Sequence, residues 1–144
     1  MKKLAVAALA MAVLAGCASV PKGDPAQDAA LKTFQVAPDQ SGIYIYRNES
    51  FGAAVSMDVA IDGQAVGQTG ANTYLFKPVA PGKHTVTSSA ENTDTVEVDA
   101  QPGRLVYIWQ EVKMGVISAR TKLHEVSETQ GKSGVGETSL AASK

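Results

Sequence analysis

From Gly42 to Val126 the apolar residues recur largely at every second position, interrupted at short intervals by Gly, Pro and Asp-Gly turns. That period sends successive side chains to opposite faces of an extended chain, so it commits the segment to strands. Val55, Met57, Val59 and Ile61 alternate with Ser56, Asp58 and Ala60, and Asp62-Gly63 follows at once as the strongest hairpin signal in the chain. Gln64–Gln68 is the expected returning strand. Further strands are predicted over Asn72–Val79, Lys83–Ala90, Thr95–Asp99, Arg104–Val112 and Thr121–Val126, with turns at Pro81-Gly82 and Gln101-Pro102-Gly103. Ile43–Arg47 and Arg104–Val112 are apolar on both faces, the profile of strands covered from both sides. The fold class is therefore all-β, a small antiparallel β-sandwich of about seven or eight strands. A short N-terminal helix and flexible termini complete the expectation.

The N-terminal segment obeys a different logic. Lys2 and Lys3 precede an apolar and small-residue run, Leu4 to Leu14, too short to span a bilayer as a helix. It ends in Leu14-Ala15-Gly16-Cys17, which resembles a bacterial lipobox, and Cys17 is the only cysteine. The resemblance implies that residues 1–16 are a signal peptide and that Cys17 becomes a lipid-bearing N-terminus. Diacylglycerol and acyl chains together exceed what stable anchoring requires. Ala18 rather than Asp follows the cysteine, which favours the outer membrane, facing the periplasm.

Residues 17–40 read as lipidated N-terminus and tether, punctuated by Pro21, Gly23, Pro25 and Pro38. Asp24-Pro25 is a good helix start, and a short helix is expected over about Pro25–Phe34 with Ala30, Leu31 and Phe34 on one face. Residues 41–127 form the sandwich domain. Residues 128–144 are rich in Ser, Thr, Gly and Lys without apolar periodicity and read as a disordered tail.

Removing residues 1–16 takes Lys2 and Lys3 with it and leaves 11 basic against 14 acidic side chains, a net charge of −3. A mildly acidic domain has no electrostatic footprint for nucleic acid and no polybasic patch for anionic lipid. The expected partners are the membrane, through the lipid anchor, and an envelope protein.

The succession Ser41–Arg47, Val59-Ala60-Ile61-Asp62-Gly63 with Val66-Gly67, Tyr74, and Pro81-Gly82-Lys83-His84-Thr85-Val86 resembles a family of small bacterial envelope lipoproteins. Their single domain has no assigned function. Glu91, the strand Gly103–Gln110 and Met114-Gly115 fit the same pattern, so the similarity covers about residues 24–130. The Val-x-Ile-Asp-Gly and Pro-Gly-x-His pieces are also similar to PEGA-type β-sandwich modules. The resemblance implies a sandwich in the envelope and supplies no catalytic residues.

His84 and His124 are the only histidines, and each stands alone in a strand. A metal site normally needs three or four ligands, so neither metal nor cofactor is expected, and both histidines read as surface or turn supports. No Gly-x-Ser-x-Gly elbow occurs, so catalytic residues are not assigned and an enzyme is not expected. Tyr44, Tyr46, Arg47 and Trp109 are the candidate binding surface, because Tyr, Trp and Arg predominate in binding hot spots and aromatic faces suit sugar stacking. Their alternative role is filling the core. The leading reading is a non-enzymatic interaction domain on a lipid anchor. A small-ligand or glycan-binding module is the alternative, and a hydrolase using His84 or His124 ranks third.

Overall fold

The alternating segments build two stacked sheets in the computed structural model, which describes residues 20–51 and 53–143. Cys17 and the signal segment lie outside the described residues. Strands β1 (Ser41–Arg47), β4 (Thr73–Val79), β7 (Leu105–Met114), β8 (Ala119–Val126) and β9 (Ser139–Leu140) form one sheet in the order β8-β7-β1-β4-β9. Strands β2 (Met57–Ile61), β3 (Gln64–Thr69), β5 (Gly82–Ser89) and β6 (Thr93–Ala100) form the other in the order β3-β2-β5-β6. The chain crosses between sheets after β1, β3, β4 and β6, so β7 returns beside β1 running in the same direction. Two pairs, β1–β7 and β4–β9, are thus parallel within a sandwich expected to be purely antiparallel.

The two-residue hairpin at Asp62-Gly63 forms as expected, with φ of 51° and 78°, the left-handed geometry that matches strand twist. Alternation then sorts the side chains. Ile43, Ile45, Leu75, Val106, Ile108 and Leu123 point inward to meet Val59, Ile61, Val66, Val86 and Val98 of the facing sheet. Tyr44, Tyr46, Tyr74 and Tyr107 point from the opposite face of the five-stranded sheet. That second apolar face needs a cover, which explains why β1 is buried along its whole length.

The cover comes from both chain ends. Helix α1 (Pro25–Leu31) starts as predicted, with Asp24 Oδ1 accepting from the Ala26 N–H at 2.9 Å and Pro25 in the first turn. Leu31 and Phe34 pack onto the tyrosine layer, whereas Ala30 stays exposed. Residues 20–40 are consequently no free tether. Gly23 N–H donates to Leu140 O at 2.8 Å, Ala142 N–H to Pro21 O at 2.8 Å, and Gly103 N–H to Gln40 O at 2.8 Å.

The expected disordered tail is likewise ordered. Ser127 caps helix α2 (Glu128–Gly136), and β9 then pairs with β4. Gly131 and Gly134 let α2 approach the tyrosine rings, and Val135 is fully buried among them. Low helix propensity and a single apolar residue hid this helix; docking, not local preference, stabilises it.

Candidate functional site

The four residues expected to form a binding surface occupy very different environments. Tyr44 is buried, stacked on Tyr107 at 5.2 Å and 10°, with its hydroxyl donating to Leu31 O at 2.7 Å. Burial and the neighbouring Tyr107 push its phenol well above the ordinary tyrosine range. Tyr46 lies beneath α2, where burial raises its phenol against the pull of a Gln130 hydrogen bond. Arg47 is fully buried; its Nη1 donates to Val55 O at 2.7 Å and its Nε lies 3.5 Å from Glu49 Oε1. It ties the loop after β1 to the sandwich. Tyr44, Tyr46 and Arg47 are therefore framework: the helices cover the face that carries the two tyrosines, and Arg47, on the opposite face with Ile43 and Ile45, is buried toward the facing sheet.

Trp109 alone of the four is half-exposed. It stacks on His124 with ring centroids 5.0 Å apart and 23° between planes. It borders an open groove of about 480 Å³ between α2 and the sheet, with Tyr46, Asn48, Gln130 and Ser133 among the lining residues. Burial lifts the Glu49 carboxyl above its usual range, against the pull of Arg47, the Trp109 indole and the Val112 backbone. The groove thus offers one aromatic edge with amides and hydroxyls beside it.

Both histidines have structural partners. His84 Nδ1 is 2.6 Å from Asp62 Oδ2 and its Nε2 is 2.6 Å from Ala80 O, so the ring bridges the β2–β3 hairpin and the turn that leads into β5. Two acceptors favour an imidazolium that donates from both nitrogens, and its pKa is raised accordingly. His124 Nε2 meets Glu111 Oε2 at 2.8 Å under the Trp109 ring. Among the described residues no group of three or more His, Cys, Asp or Glu is placed to hold a metal ion.

Two arrangements had no signal in sequence spacing. Thr69 donates to Gln110 Oε1, Gln110 Nε2 donates to Ser88 Oγ at 2.6 Å, and Ser88 and Thr121 hydroxyls meet at 2.7 Å. This buried polar chain stitches the two sheets together near one end.

The second arrangement is the β7–β8 loop at that end. Glu91, from the β5–β6 turn, accepts from the backbone N–H groups of Val116, Ile117 and Ser118 at 2.9, 3.1 and 2.9 Å. Those three bonds hold its carboxyl below the ordinary glutamate range. A Cβ at Gly115 would lie 2.3 Å from Glu91 Oε2 and 2.9 Å from Ser118 O, so a side chain there would displace the clamping carboxylate. The clamped loop points Val116 and Ile117 into solvent, 91% and 93% exposed.

A family described as a protein of unknown function, DUF2846, matches residues 37–122, more than half of the chain. The chain belongs to the DUF2846 family. The match spans β1 to the first part of β8, so the DUF2846 region contains Arg47, Glu91, Trp109 and the clamped loop, while α1, α2 and β9 lie outside it. An uncharacterized protein of Haemophilus influenzae is 30% identical over 135 residues, covering 91% of this chain and 79% of the relative. No solved structure matches the chain.

Proposed function

We propose that this DUF2846 protein is a lipid-anchored lipoprotein of the bacterial envelope whose sandwich acts by binding rather than by catalysis. The observation carrying the binding role is the distribution of exposed large hydrophobic side chains among the described residues. Phe51 in the β1–β2 loop, Met114 at the end of β7, and Val116 and Ile117 in the loop that follows it lie at one end of the sandwich. Exposed apolar groups gathered in one region are a feature of interaction surfaces. A backbone clamp that fixes one of those loops favours the same reading, since a pre-ordered loop loses less freedom on binding.

The anchor rests on the lipobox-like Leu14-Ala15-Gly16-Cys17 run. Ala18 after the cysteine favours the outer membrane, with the domain in the periplasm. Fractionation of cells expressing the full chain tests this reading. Wild-type chain is expected in the outer-membrane fraction and Cys17→Ser in the soluble fraction or retained as precursor. Wild-type chain in the soluble fraction would refute the anchor.

The groove beside Trp109 favours a second reading, a small-ligand or glycan site. One half-exposed indole flanked by Asn48, Gln130 and Ser133 suits a single sugar ring better than an extended chain. Titrating the full chain with soluble peptidoglycan fragments while following Trp109 emission tests it. A saturable change that Gln130→Ala weakens supports a glycan site, and an unchanged spectrum removes it.

A further inference from the structure

The apolar loops and the point where the chain enters the fold lie at the same end of the sandwich. Val20, the first described residue, sits against the β3–β4 turn: a Cβ at Gly70 would lie 3.0 Å from Val20 Cγ2. Strand pairing places that turn beside the end of β1 and level with the middle of β7, since Arg47 pairs with Thr73 and Tyr46 with Trp109. From Trp109 the strand runs five more residues to Met114, roughly 16 Å further in the same direction. Phe51 is in the β1–β2 loop at this end, where Asn72 Nδ2 donates to Ser50 Oγ at 3.2 Å. All four exposed large hydrophobic side chains among the described residues therefore belong to the end at which Val20 enters.

Resting on the lipid-anchor reading, we propose that this end lies against the bilayer, with Val116 and Ile117 inserted into its interface. Cys17 stands three residues before Val20, a span of at most about 11 Å. Residues 20–40 are fixed to the fold, so a lipid on Cys17 holds the domain at the membrane surface instead of at the end of a leash. The end facing the lipid is then the one carrying the apolar tip.

The chemistry behind the tip fits a lipid boundary. Lys113 and Arg120 face each other across the hairpin, one pair below Met114 and Ala119, and both are exposed. Long basic side chains at that level keep their charges among headgroups while their stems cover apolar surface. The carboxylates nearby are already engaged. Glu91 accepts three backbone amides, Asp94 accepts from Leu123 N–H and lies 3.9 Å from Lys122, and Asp58 accepts from Gln68. The Glu91 clamp also satisfies backbone N–H groups that would otherwise enter the interface unpaired.

Depth-dependent quenching tests the proposal on the full chain, purified from membranes and reconstituted in phosphatidylethanolamine–phosphatidylglycerol vesicles with brominated acyl chains. Ile117→Trp adds an indole at the tip, and Gln101→Trp adds one at the opposite end; Trp109 emission of wild type is subtracted from each. The Ile117→Trp indole is expected to shift to shorter wavelength and to lose about half its emission or more, as for a side chain ~5–10 Å into the headgroup–acyl boundary. The Gln101→Trp indole is expected to stay bright in bromolipid and open to aqueous acrylamide.

An Ile117→Trp indole that bromolipid spares, on a chain whose Cys17 is acylated, overturns the proposal; burial of the tip in a protein partner would give that result. Quenching at Ile117→Trp in a chain whose Cys17 carries no lipid would remove the anchor reading and leave the tip insertion standing. The two readings thus fail by different results.

Discussion

Replacing Gly131 or Gly134 by alanine should destabilise the protein, although alanine is the better helix former. A Cβ at Gly131 would stand 2.2 Å from Tyr107 Cγ, and one at Gly134 2.1 Å from Tyr46 Cε2. Neither ring can retreat, because both are buried and Tyr107 is stacked on Tyr44. Overpacking of this kind costs about 1–3 kcal/mol, against which the helix gains ~1 kcal/mol from losing a glycine. Lifting α2 away instead would expose Val135, at roughly 1.5–3 kcal/mol for a fully buried side chain. Net of that gain, both routes lower stability by up to about 2 kcal/mol per site, or up to ~10 °C in Tm for a domain of this size. Gly136 supplies the control, since a Cβ there meets nothing within 4 Å and only the helix-propensity gain remains. Thermal melts followed by circular dichroism would read Gly131→Ala and Gly134→Ala below wild type, and Gly136→Ala level with it or above. If all three variants melted at or above wild type, α2 would not be docked on the tyrosine layer.

Glu91→Ala should accelerate amide exchange at Val116, Ile117 and Ser118 while leaving the global Tm nearly unchanged; unaltered exchange would show that the carboxylate does not hold the loop. Because those amides depress the Glu91 pKa, the clamp should be complete above the ordinary glutamate value and released as pH falls through the lowered one, visible as amide shifts of residues 116–118 moving only in acid. His84 should titrate above an ordinary histidine and return toward it in Asp62→Asn, measured by imidazole NMR shifts. Its raised pKa means that the contribution of the turn contact is full below the ordinary histidine value and fades as pH rises through the raised one. Arg47→Leu should cost roughly 3 kcal/mol in urea denaturation, near the low end for breaking a buried ion pair because Glu49 keeps 24% of its side chain in solvent; a loss below about 1 kcal/mol would mark the pair as a mere surface contact.

The sandwich was legible because its information is local. Alternation sorted Leu105, Tyr107 and Trp109 from Val106 and Ile108, and Tyr74 and Phe76 from Leu75, onto the two faces that they occupy. Asp62-Gly63 and Pro102-Gly103 turn the chain where the sequence places them. The covers of the tyrosine face were harder to read. Gly131 and Gly134 look like breakers in sequence, and their small size makes sense only once two rings lie beneath them. Residues 20–23 attach through backbone bonds to residues 140–142, which leave no mark on side-chain pattern.

The candidate surface was read from residue type, and type does not distinguish a hot spot from a covered aromatic layer. Tyr44 and Tyr46 belong to that layer, Arg47 is buried on the opposite face of the same strand, and Trp109 alone reaches solvent. The exposed tip is not legible in the sequence because Val116 and Ile117 are a lone apolar pair in the connection between two expected strands, and scattered apolar residues are common on surfaces. What makes them a surface is Glu91, 25 residues upstream of Val116, which folds their backbone into a turn.

Intact mass of the chain extracted from cell membranes tests the central claim, a domain held at the membrane through Cys17, most directly. The account predicts loss of residues 1–16 and a mass gain on Cys17 equal to a diacylglyceryl thioether, with an N-acyl group where the host adds one. Recovery of the chain with Met1 retained and Cys17 unmodified would contradict it.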